Sequence, residues 1–117
     1  MPYVDGFVLA VPKANIEAYK DIARNAGAVW KDHGALAYVE CIGDDTPYGE
    51  LTSFPRAVQA KDDEVVVFSW IVYASRASRD EINAKVMADP RIQMDPAKMP
   101  FDGARMIFGG FESFVEL

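Results

Sequence analysis

The chain has 117 residues, half of them apolar, and its 12 basic and 18 acidic side chains leave a net charge of −6. That length fits one domain, residues 1–117, with enough apolar material for a core, and it excludes a disordered chain. An acidic chain without a basic block repels polyphosphate, so a general nucleic-acid partner is excluded as well.

YVDGFVLAV, Tyr3–Val11, closed by Pro12, predicts a first strand. A helix follows, with Asn15 as N-cap and Ile16, Tyr19, Ala23, Ala26 and Trp30 as its apolar stripe. His33-Gly34 ends it, because glycine takes the left-handed position after a helix and a histidine suits its negative end. Ala35–Gly43 reads as the second strand. Residues 43–63, rich in Gly, Asp, Pro and Thr, read as a long loop with one helical turn around Pro55–Gln59. Glu64–Tyr73 is the strongest strand signal. Ser78 and Glu81 form a capping-box pattern that opens a second helix, stopped near Pro90. A Pro- and Met-rich connector leads to a last strand over Arg105–Val115. The glycine pair Gly109-Gly110 lies inside it, which marks a bend or a close approach rather than a phosphate-binding turn.

This order, β-α-β, loop, β-α, connector, β, predicts an α+β ferredoxin-like fold: a four-stranded antiparallel sheet with both helices on one face. Val65–Ala74 carries apolar residues on both of its faces, and two helices cover only one. The other face is expected to meet the same face of a second copy, so that the two sheets form a dimeric α/β barrel; the alternative is that loop 43–63 folds back over it. Ten residues are about half a membrane span, so no membrane partner is expected. Neither end reads as a signal peptide. The single cysteine, Cys41, excludes an internal disulfide, and the expected location is a reducing cytoplasm.

HGALAYVECIGDD (His33–Asp45), GELTSFPRAV (Gly49–Val58), DEVVVFSWIVYASRASRD (Asp63–Asp80) and MPFDGARMIFGGFE (Met99–Glu112) resemble the bacterial family called domain of unknown function 1428, or YbaA-like. The resemblance covers essentially the whole chain. It implies the dimeric α/β-barrel superfamily, which includes cofactor-free monooxygenases, haem proteins and proteins without known chemistry. It carries no catalytic residue over to this chain.

The residues themselves supply the candidates. His33, the one histidine, is a candidate proton acceptor, or alternatively a helix cap. Glu40, Asp5 and Ser69 are polar residues within strand patterns; Glu40 and Ser69 join His33 as catalytic candidates if they point inward. Tyr38, Phe68, Trp70 and Phe108 are candidates to line an apolar ligand pocket or to fill core, with Arg105 at its rim. Cys41 reads as a buried, inert thiol. With one Cys and one His, no metal or other cofactor is expected. Three function classes stay open: a small-molecule enzyme (a cofactor-free oxygenase or isomerase-like protein) acting on an apolar substrate, a non-catalytic ligand-binding module, and a structural homodimer with a filled barrel.

Overall fold

A computed structural model describes residues 1–117. Its elements in chain order are β1 (Tyr3–Pro12), α1 (Ile16–Asp32), β2 (Ala37–Ile42), a short α2 (Phe54–Ala57), β3 (Glu64–Tyr73), α3 (Arg76–Ala88) and β4 (Ile107–Glu112), with single 3-10 turns at 13–15, 90–92, 96–98 and 103–105. The strands form one antiparallel sheet in the order β2-β3-β1-β4, the ferredoxin-like arrangement. No helix is long and apolar enough to cross a membrane.

Strand register sorts the side chains. Tyr3 pairs with Tyr73, Asp5 with Ile71, Phe7 with Ser69 and Leu9 with Val67, while Glu40 of β2 lies opposite Ser69. These residues share the face that meets α1 and α3, since alternate residues of a strand point the same way. There, Ile71 and Tyr73 pack with Val29 of α1 and Ile82 and Val86 of α3, and Leu9, Val11 and Val67 pack with Tyr19. Fully burying each such aliphatic side chain contributes about 1.5–3 kcal/mol. Helix α1 ends in a Schellman motif: Ala35 N–H bonds the Trp30 carbonyl, Gly34 N–H bonds that of Lys31, and Gly34 sits at φ +115°. Helix α3 starts earlier than its capping-box pattern suggests. Ser75 is the cap and accepts from Ser78 N–H at 3.1 Å, while Glu81 pairs instead with Lys85.

The opposite face carries Val66, Phe68, Trp70 and Val72 of β3 with Ile107, Gly109 and Phe111 of β4. Loop 43–63 covers one end of it: Val58 is buried with Ala10 and Val66, and the Phe54 ring stands edge-on to that of Phe68. The rest is bare. Phe68, Ile107 and Phe111 remain 41, 46 and 64% exposed. The last strand is shorter than expected, because Gly103–Arg105 is a 3-10 turn held by the Asp102 carboxylate at the Ala104 N–H. Within β4, a Cβ on Gly110 would collide with an Arg79 guanidinium nitrogen and with the Tyr3 hydroxyl. The glycine is there to let that Arg79–Tyr3 stack lie against the strand.

Candidate functional site

Between α1 and the edge strand β2 lies a cavity of about 530 Å³, floored by Tyr38, Ile42 and Val67 and walled by Ala23, Gly27 and Ala28. A smaller chamber of about 180 Å³ lies further in, under Phe101 and Met106, where Phe7, Trp30 and Ser69 line it. Tyr19, Tyr38 and Glu40 border both. The larger volume is in the range of small-molecule sites.

Glu40 stands at the seam between the two spaces, and sequence periodicity explains how it gets there. Tyr38 and Glu40 are two apart on one strand and so share a face, while Tyr19 belongs to the inward stripe of α1. The Tyr38 hydroxyl donates to Glu40 Oε2 at 2.6 Å and the Tyr19 hydroxyl donates to Oε1. Burial, reinforced by the hydrogen bond and negative charge of Glu40, pushes both phenols far above their ordinary value of 10. Both therefore remain proton donors across the neutral range. Gly27 makes this possible: a Cβ there would come within 2.8 Å of the Tyr38 ring. A mid-helix glycine costs about 1 kcal/mol relative to alanine, so its presence signals a close neighbour.

The model of the family described as "Protein of unknown function (DUF1428)" matches residues 2–103. This chain belongs to that family. The uncharacterized protein YbaA of Escherichia coli strain K12 is 51% identical over 116 residues, covering 99% of each chain. Among solved structures, a dimeric ferredoxin-like protein from an uncultured marine organism is similar with TM-score 0.60 at 14% identity over 100% of each chain. A mutant form of SnoaB, a cofactor-independent oxygenase of Streptomyces nogalater, is similar with TM-score 0.55 at 16% identity, over 99% of this chain and 96% of that one. At such identities these two share the fold.

In this DUF1428 member the candidate residues do not all meet. Glu40, Ser69 and Tyr38 gather at the inner chamber. Phe68 and Trp70 point to the bare sheet face, and Phe108 stacks on Phe7 at the sheet edge while remaining 72% exposed. His33 caps α1 outside both cavities, where its Nε2 lies 2.8 Å from Asp89, itself bound by Arg91. Arg105 clamps the loop: it reaches Glu64 at 2.7 and 2.8 Å, Asp102 at 3.0 Å and the Gln59 carbonyl at 2.8 Å. Asp5 is buried but paired, accepting from Arg79 at 3.1 Å and from the Tyr73 hydroxyl at 3.0 Å. Cys41 is exposed rather than buried, because its strand position faces the side that no helix covers. Tyr19 is the site residue that sequence reasoning does not single out. A signal for it exists, since a buried tyrosine hydroxyl needs a partner and strand position 40 offers a carboxylate.

Proposed function

We propose that this protein is a small-molecule enzyme in which Glu40 takes a proton from a carbon acid bound between α1 and β2. Proton removal of this kind is the first step common to isomerisation and to oxygenation without a cofactor. One observation carries the reading: a carboxylate held by two tyrosine hydroxyls at the seam of two largely apolar cavities. A carboxylate set in this way is a positioned proton acceptor. A substrate carbonyl that displaces one phenol–carboxylate bond finds a neutral phenol ready to donate to the oxyanion as charge develops on it. Ser69, opposite Glu40, adds a hydroxyl on the inner side. The apolar side chains around Glu40 lower the local dielectric and so strengthen each of these interactions. The fold shared with a cofactor-independent oxygenase supports the reading, since it is one on which such chemistry is hosted.

The bare sheet face is the assembly surface in this proposal, and two copies join through it in the cytoplasm. The exposed Phe68, Ile107 and Phe111 support that assembly, as does the fold shared with a dimeric ferredoxin-like protein. It leaves the α1–β2 cavity open on the other side of the sheet.

The test is deuterium exchange at acidic C–H positions, followed by NMR for a panel of aromatic 1,3-dicarbonyl and phenolic compounds in D2O. Wild type is expected to exchange at least one of them above the buffer rate, and Glu40→Gln to lose about 10²–10⁴-fold. Exchange by Glu40→Gln at the wild-type rate overturns the assignment of Glu40. Saturable binding with no exchange assigns the cavity to a ligand-binding module instead.

A further inference from the structure

We infer that the α1–β2 cavity takes an elongated amphipathic anion, an apolar aromatic body that ends in a carboxylate. This inference names the substrate class of the proposed enzyme and rests on that reading for the location of the reacting end.

The charge at this cavity runs against that of the whole chain. The protein carries −6 overall, yet the lining contributes three cations, Lys20, Arg24 and Lys31, and a single carboxylate, Glu40, whose oxygens already accept from two tyrosines. The three cations lie on α1, the first and last eleven positions apart, about 16 Å of helix at 1.5 Å per residue. Between them the helix presents Ala23, Gly27 and Ala28, side chains too small to fill the space. The result is a trough with a greasy floor and a cationic rim, long enough for a fused-ring or ring-plus-chain molecule.

The rim charges are available to a ligand. Lys20 lies 3.6 Å from Glu17 and Arg24 lies 3.0 Å from Asp21, and all four side chains are exposed, where such pairs contribute little. Lys31 bonds only the neutral Leu36 carbonyl at 2.9 Å. An organic anion competes well for these groups. A neutral apolar ligand leaves them unused. With its anionic end on the rim, the apolar body reaches down to Glu40 and the inner chamber.

Calorimetric titration of the full chain with 2-naphthoate and with 2-naphthamide, its neutral match in shape, tests this. Naphthoate is expected to bind about tenfold tighter or more at low salt, with the advantage shrinking as salt is added. The triple variant Lys20→Gln/Arg24→Gln/Lys31→Gln is expected to bind the two ligands equally; single Arg24→Gln, with its fold checked by circular dichroism, loses part of the preference if the triple variant does not fold. Glu40→Gln is expected to keep the preference, which separates this result from the exchange experiment. Equal binding of the two ligands by wild type, no binding of either at millimolar concentration, or a preference that survives removal of the cations overturns the inference. None of those outcomes alters what Glu40→Gln does to exchange.

Discussion

Replacing Gly27 with alanine sets helix propensity against the Tyr38 ring, and the structure fixes which wins. In an isolated helix the change stabilises by about 1 kcal/mol. Here the new Cβ would lie 2.8, 3.0 and 3.3 Å from three atoms of the Tyr38 ring. Carbon atoms pack at roughly 3.5–4.0 Å, so the ring must retreat by about 0.8 Å. Moved that far, the Tyr38 hydroxyl leaves hydrogen-bond range of Glu40, which it now meets at 2.6 Å. Overpacking costs about 1–3 kcal/mol and the lost bond to a charged group about 1.5–3. Net of the propensity gain, the expected destabilisation is about 1.5–5 kcal/mol. In a Tyr38→Val background the obstructing ring atoms are gone, and the same Gly27→Ala change should stabilise by about 1 kcal/mol. Urea denaturation of the four proteins at one fixed concentration measures both legs of this cycle. A Gly27→Ala effect of the same sign in both backgrounds refutes the argument that Gly27 exists to seat Tyr38.

Glu64 is pulled down from 4.5 to about 2, chiefly by hydrogen bonds from Arg105. Its contribution to stability is therefore complete above pH 4.5 and is lost as pH falls from about 4.5 towards 2. Urea midpoints measured across that window should fall less steeply for Glu64→Gln than for wild type, and parallel curves would remove the Arg105 clamp as their cause. Pairing through the bare face predicts that Phe68→Asp with Phe111→Asp converts a dimer to a species of the 13.0 kDa chain mass by light scattering; a double variant that stays at twice that mass refutes assembly through this face.

What is readable in the sequence follows the physics of short range. Strand periodicity in Glu64–Tyr73 exposes two apolar faces and so the bare side of the sheet, and His33-Gly34 announces the end of α1 because the Schellman turn is a local device. The Ser78–Glu81 pattern is local too, yet it puts the start of α3 one turn late, with Ser75 three residues ahead of Ser78. The choice falls to Ser75 because β3 ends at Tyr73, which leaves two residues to turn into α3. The site itself depends on contacts distant in the chain. Tyr19 and Glu40 are 21 residues apart, and His33 and Asp89 are 56 apart, so no spacing rule joins the first pair or ties the histidine to its acid. Glu40 and Ser69 are recognisable as polar residues in strands, but their meeting on one face requires the β2–β3 register.

That register has a consequence for engineering. On β3 the odd positions 67, 69 and 71 look towards the cavities and the even positions 66, 68 and 70 look towards the bare face, so parity divides the strand into two alphabets that can be rewritten separately. Substitutions at even positions can rewrite the bare face without touching the chamber, and substitutions at odd positions can reshape the chamber without touching the bare face. A single inserted or deleted residue in this strand would exchange the two, setting Trp70 against Tyr19 and turning Ser69 out of the pocket. Length changes in β3 should therefore be far less tolerated than changes of side chain.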